Sequence, residues 1–228
     1  MMARRSTKLR PRVVGVIASR ADLERAVRMR RPPDLFELRL DRLADMADEV
    51  EKVLPRLRTP LIITARDPRE GGANKLRLRQ RRDLLARFLS HADYIDVELR
   101  SARTLRALLA IAKAKNVRQI ISFHDFKSTP SARLLVAKAH NAKALRADIF
   151  KVATRTDTPT ELGRLLEFIT KNPVNVRLAV IGIGRLGAIS RVLFARAGSV
   201  LIYASLGPAT DVEGQLSLEQ LRALGFGA

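Results

Sequence analysis

Lys151 stands in Asp148-Ile149-Phe150-Lys151-Val152-Ala153, a run whose other central members are apolar and strand-forming. An ammonium there is expensive to bury. Burial and nearby cations both disfavour the charged form, leaving neutral amine able to attack a ketone or aldehyde carbon. The alternative is a lysine that snorkels outward or pairs with a carboxylate. His124 closes a second apolar run, Ile121-Ser122-Phe123-His124. An imidazole titrates near neutrality and can both remove and return a proton. His91 and His140 lie in polar helical surroundings and read as surface residues.

Charged rows accompany these two residues. Glu37, Arg39 and Asp41 alternate along one segment, so the strand period of two puts them on one face. They either contact a substrate directly or form a buried ion-pair network that fixes geometry. Asp96 and Glu98 repeat the device, and carboxylates on several strands could hold a divalent metal. The many arginines nearby make neutralisation by protein cations the simpler reading, and no metal is expected. Thr64 to Gly72 is a loop with paired glycines in which Arg66 and Glu70 could reach the same rim.

Gly182-Ile183-Gly184-Arg185-Leu186-Gly187 matches a dinucleotide fingerprint placed between a strand and a helix. A dinucleotide fold builds several strands after this motif, and too little chain follows it here. The glycines more simply let the backbone approach an anion at a helix start, with Ser190 and Arg191 following on that helix.

These residues must be carried by repeated elements. From residue 13, eight short apolar segments alternate with stretches of helical period. They are residues 13–18, 35–40, 61–65, 94–99, 119–123, 148–153, 177–182 and 199–204. The stretch from Arg77 to Ser90, with Leu78, Leu85, Phe88 and Leu89 on one stripe, illustrates the helices between them. Eight such units predict an α/β fold, a single (β/α)8 barrel over residues 13–228, with its chemistry at the C-terminal ends of the strands. Residues 1–12, rich in arginine, read as a flexible basic tail.

Composition agrees with one domain: 228 residues, 46% hydrophobic, 4% aromatic and no Trp, so Val, Ile, Leu and Ala fill the core. The absence of Cys excludes disulfides, thiolate metal clusters and thiol nucleophiles. No apolar run of about 18 residues occurs, and the basic start lacks the apolar segment of a secretory signal, so a cytoplasmic protein is expected. The net charge of +20 raises nucleic acid as a partner. The basic residues are spread along the chain without interleaved aromatics, which favours a solvated surface instead.

Seven motifs, in order along the chain after residue 12, resemble type I 3-dehydroquinate dehydratases. They are Glu37-x-Arg39-x-Asp41, Thr64-x-Arg66-x-x-x-Glu70-Gly71-Gly72, Asp96-x-Glu98, Ser122-x-His124-Asp125-Phe126 with Thr129-Pro130, Asp148-x-x-Lys151-x-Ala153, Gly184-x-x-Gly187-x-x-Ser190-Arg191, and Gly214-Gln215. The resemblance implies a (β/α)8 barrel, usually a homodimer, that uses no metal or organic cofactor. It implies a hydro-lyase that dehydrates 3-dehydroquinate in the shikimate pathway.

By that resemblance Lys151 forms an imine with the C3 ketone and His124 is the general base and acid. Glu70 orients His124 and raises its basicity, and Arg191 grips the substrate carboxylate. Glu37, Arg39 and Arg66 bind ring hydroxyls, with Ser19 a further contact. Gln215 lies in the last loop, Ser205 to Leu216, which resembles the family's lid. Here the lid reads Thr210-Asp211-Val212-Glu213-Gly214-Gln215, where the family has a small hydroxyl residue, Ala, Pro, Gly and Gln. Asp211 and Glu213 either stand near an anionic substrate or turn away and pair with surplus arginines. A class I aldolase would share the imine but needs a phosphate site, and no motif is clearly committed to one.

Overall fold

The computed structural model describes residues 10–207 and 212–227. Its eight strands are β1 (Arg12–Ile17), β2 (Leu35–Arg39), β3 (Leu61–Thr64), β4 (Tyr94–Glu98), β5 (Arg118–Asp125), β6 (Ile149–Arg155), β7 (Leu178–Ile183) and β8 (Leu201–Ser205). Each predicted strand is found, with ends moved by one or two residues. β5 and β6 run beyond the predicted ends because His124 and Asp125 pair with Ala153 and Thr154.

The helices are α1 (Arg20–Arg28), α2 (Ala47–Val53), α3 (Leu78–Phe88), α4 (Leu99–Ala102), α5 (Arg106–Ala114), α6 (Ala132–Ala144), α7 (Pro159–Lys171), α8 (Gly187–Ala197) and α9 (Leu218–Ala223). Several start on local signals. Thr158 and Glu161 form a reciprocal capping box ahead of α7 with Pro159 in its first turn, and Ser217 with Gln220 does the same for α9.

The sheet order is β7-β6-β5-β4-β3-β2-β1-β8, parallel throughout. The order wraps from β1 directly to β8, and at the seam the Val200 N–H donates to the Leu178 carbonyl (2.8 Å). This is the expected (β/α)8 barrel. Two apolar cores follow from the alternation of side chains across each strand. One lies between sheet and helices and includes Ile17, Phe36, Ile63, Phe88, Phe150 and Phe194. The other fills the barrel itself with Val14, Leu35, Ile62, Tyr94, Ile120, Ile149, Ala179 and Leu201.

The barrel begins one residue earlier than predicted. Arg12, assigned to the tail, opens β1, and its guanidinium donates to the Tyr94 hydroxyl at the barrel floor (2.9 Å). Residues 1–9 of the predicted tail lie outside the described residues. No helix among the described residues is long and apolar enough to cross a membrane.

Candidate active site

The period of two lifts the chemistry directly above the apolar floor. Two residues beyond Leu35, Ile62, Tyr94, Ile120, Ile149 and Leu201 come Glu37, Thr64, Asp96, Ser122, Lys151 and Tyr203, all buried. A further step of two reaches Arg39, Arg66, Glu98 and His124 at the C-terminal rim.

Lys151 points into the barrel and is 4% exposed. Its Nζ donates to Asp96 Oδ2 (2.9 Å) and Glu37 Oε1 (3.3 Å), and lies 4.2 Å from the centroid of the Tyr203 ring. Snorkelling is thereby excluded, and pairing with carboxylates holds inside the barrel. Asp96 also receives a forked pair of bonds from Arg66 (3.1 and 2.9 Å) and one from Ser122 Oγ (2.6 Å). Burial pushes the Asp96 carboxyl up, but Arg66 and Lys151 outweigh it and hold it far below the ordinary carboxylate range.

Arg66 is itself 3% exposed and bonds Glu98 (3.1 Å) and Ser122 (2.6 Å) besides Asp96. Arg39 closes a fork on Asp41 (3.0 and 2.9 Å) and reaches the Gly71 carbonyl (3.3 Å). The second strand's charges therefore take part in an ion-pair network. The carboxylates that might have faced a divalent ion are matched to arginine and lysine.

His124 stands on β5 next to β6, its backbone paired in register with Ala153, while Ser122 pairs with Lys151. Its backbone N–H (2.9 Å) and its Nδ1 (3.1 Å) both meet Glu70 Oε2. With the ring proton assigned to Nδ1 by that bond, the lone pair lies on Nε2. Desolvation, followed by the charges of Arg66 and Lys151, holds the His124 pKa well below 6.5. Burial and these cations outweigh the opposing charge of Asp96. Glu70 moves the other way: burial drives its carboxyl from 4.5 up to about 7, with Arg66 opposing and Glu98 reinforcing.

Arg191, on the first turns of α8, is 3% exposed. Its Nε donates to the Gly214 carbonyl (3.0 Å), and among the described residues it has no carboxylate partner. Burial lowers its pKa to about 10. A buried guanidinium without a carboxylate partner among the described residues can accept an anion. Gly214 has a left-handed backbone (φ +77°), and a Cβ there would come within 2.6 Å of the Gly187 Cα. The last loop therefore lies directly on the β7–α8 turn.

That turn does not offer its backbone to a ligand. The N–H of Gly182 donates to Ser190 Oγ, that of Gly184 to the Glu213 carbonyl, that of Arg185 to Asp157, that of Leu186 to the Thr156 carbonyl and that of Gly187 to the Gly184 carbonyl. The anion that the backbone approaches here is the protein's own Asp157. Glu213 pairs with Arg155 (3.0 Å) at the end of β6, as the reading with surplus arginines foresaw. Asp211 and Thr210 lie outside the described residues.

Ser19 stands just beyond the C-terminal end of β1. It caps α1, where its exposed hydroxyl accepts from the Asp22 N–H (3.2 Å) and donates to the Asp22 carboxylate (2.8 Å). Gln215 is half-buried, and its backbone N–H bonds the Val212 carbonyl (3.0 Å) beside the Gly214 contact.

Two residues were missed by sequence reasoning. Arg81, on α3, is 2% exposed and bonds Glu98 (2.8 Å), Asp67 (2.7 Å) and Ser101 (3.2 Å), holding Glu98 from behind while Arg66 holds it in front. Its signal was available: Arg81 shares the buried stripe of α3 with Leu85 and Phe88, as much a misplaced cation as Lys151. Tyr203 follows Leu201 at the strand period and was passed over as filling.

Fold and site together define a (β/α)8-barrel enzyme with a buried amine, an imidazole and an unpaired arginine at the catalytic end of the barrel. The family model of type I 3-dehydroquinase matches residues 14–225. The 3-dehydroquinate dehydratase of Methanococcus vannielii is 31% identical over 194 residues, 84% of this chain and 86% of its own. That of Pyrococcus abyssi is 33% identical over 195 residues, with the same two shares. The solved type I 3-dehydroquinate dehydratase of Clostridium difficile, with covalently modified comenic acid, superposes with a TM-score of 0.82 at 25% identity, over 94% of this chain and 91% of that one. The chain belongs to the type I 3-dehydroquinase family and is an enzyme of the hydro-lyase class.

Proposed function

We propose that this protein converts 3-dehydroquinate to 3-dehydroshikimate and water through an imine on Lys151. The observation that carries the reading is the placement of the Lys151 amine inside the barrel, one strand away from a neutral His124 and in a site where Arg191 has no carboxylate partner among the described residues. The covalently modified ligand in the Clostridium difficile relative supports a nucleophile in such a site.

The Lys151 ammonium passes one proton to His124 Nε2, its freed Nζ attacks the C3 ketone carbon, and the imidazolium returns that proton to the carbinolamine hydroxyl, which leaves as water. The resulting iminium draws electrons from the neighbouring carbon, so His124 Nε2 can take the C2 proton and leave an enamine. The enamine expels the C1 hydroxyl, which departs as water with the proton that the imidazolium returns. Hydrolysis of the conjugated iminium consumes one water and frees Lys151. One imidazole serves both transfers because they are sequential.

Glu70 sets the His124 tautomer. Arg191 binds the substrate carboxylate in a forked contact, Glu37, Arg39 and Arg66 meet the ring hydroxyls, and Gln215 is carried over the site by the last loop. No step requires a metal or an organic cofactor. The reading extends to a cytoplasmic homodimer, on the family resemblance.

The test is to incubate the protein with 3-dehydroquinate and follow the ultraviolet absorbance of the conjugated enone. Borohydride added during turnover should fix the substrate carbon skeleton to Lys151, located by peptide mass spectrometry, and Lys151→Ala should abolish this adduct. Turnover without an adduct, or an adduct that survives Lys151→Ala, would overturn the imine reading.

A further inference from the structure

Tyr203 has no part in the chemistry just described, yet its ring lies against the nitrogen at the centre of it. The Lys151 Nζ is 4.2 Å from the ring centroid, and Tyr203 is 4% exposed. The Tyr203 hydroxyl is buried with no hydrogen-bond partner among the described residues. The engaged part of this side chain is therefore its face.

As an ammonium, Nζ carries three N–H groups, and Asp96 and Glu37 accept from it at 2.9 and 3.3 Å. A ketone iminium on the same nitrogen is planar and keeps a single N–H. At most one of the two carboxylate bonds can then survive at full strength. Attraction to a ring face needs no N–H, because the negative face of the π-system attracts the positive charge itself. A flat ring also matches a flat C=N group. We infer that Tyr203 is the cation-binding platform for the iminium form of Lys151, holding the charge as the hydrogen bonds to Asp96 and Glu37 fall from two to one. The inference rests on the imine reading above.

The experiment replaces Tyr203 by Phe, by Phe bearing one, two or three ring fluorines, and by Leu. Fluorine drains the ring face with little change of shape. The readout is the fraction of enzyme reduced onto substrate by borohydride at saturating 3-dehydroquinate, together with the alkaline pH at which trapping is half lost. Tyr203→Phe should match wild type, since it leaves no partner unpaired. Each fluorine should lower the trapped fraction, and Tyr203→Leu should lower the imine equilibrium constant about tenfold and bring the alkaline limit down by about one pH unit. A flat fluorine series with an unmoved alkaline limit means that Tyr203 only packs, and overturns the inference. Loss of trapping in Tyr203→Phe also overturns it, by moving the role to the hydroxyl. Wild type that traps no imine would instead refute the imine reading itself.

Discussion

One oxygen of Glu70, Oε2, meets both the backbone N–H of His124 (2.9 Å) and its Nδ1 (3.1 Å). A single carboxylate thus fixes where the ring sits and which nitrogen carries the proton. The catalytic end of β5 is tied through it to the loop that follows β3.

The first prediction concerns catalysis and pH. As pH falls through about 7, the incoming proton goes to Glu70 rather than to His124, whose pKa lies well below 6.5. Protonated Glu70 no longer demands a proton on Nδ1, so the Nε2 lone pair is no longer secured. The kcat profile should show an acid limb near pH 7. Glu70→Gln should lower the plateau by about 10- to 100-fold and remove that limb, a range set by the usual size of general-base effects. An unchanged acid limb in the variant would assign it to another group.

Stability should follow the same residue in the opposite sense. Between 4.5 and about 7 the folded state holds a proton on Glu70 that the unfolded chain has released. The contribution of this group is fully present below 4.5 and is lost as pH rises through 7. Urea denaturation across that window should show wild type losing up to about 3 kcal/mol relative to Glu70→Gln. A constant difference between the two would mean that Glu70 titrates normally.

Arg191 should behave as a residue kept for a ligand. It has no carboxylate partner among the described residues, and burial disfavours its charge. Arg191→Met should leave the unliganded protein as stable as wild type or up to about 2 kcal/mol more stable, while KM rises about 100-fold or more. Arg191→Lys should rescue poorly, because an ammonium cannot make the forked contact. Steady-state kinetics beside thermal melts would check this, and a large stability loss in Arg191→Met would make the residue structural.

Arg81 should behave in reverse. Arg81→Met leaves the buried Glu98 Oε2 and the half-buried Asp67 without this cation. The expected loss is about 3–5 kcal/mol by urea denaturation. KM and kcat of the folded fraction should both worsen, because Glu98 also holds Arg66. A loss below about 1 kcal/mol would show that Glu98 is satisfied by Arg66 alone.

The elements of this barrel were legible from local pattern, since alternating runs such as 94–98 and 149–155 bury one or both faces and turn residues separate them. Lys151 and His124 were legible for the same reason: each breaks the apolar run it belongs to. Arg81 broke a helical stripe just as plainly. Ser19 shows how a residue at a strand's C-terminal end can also cap the next helix, with Asp22, three residues on, as its partner.

The sequence by itself determined the number of strands, the face each side chain takes, and the level at which Lys151 and His124 emerge, because these depend on a period of two along a single strand. Only the tertiary structure decided who pairs with whom across the barrel. Asp96 holding both Arg66 and Lys151, Glu213 meeting Arg155, and Tyr203 lying against Nζ join residues far apart in the chain. Those pairings are set by closure and by the register between neighbouring strands. The same geometry left Arg191 buried without a counter-charge among the described residues and pushed Glu70 and His124 towards their neutral forms.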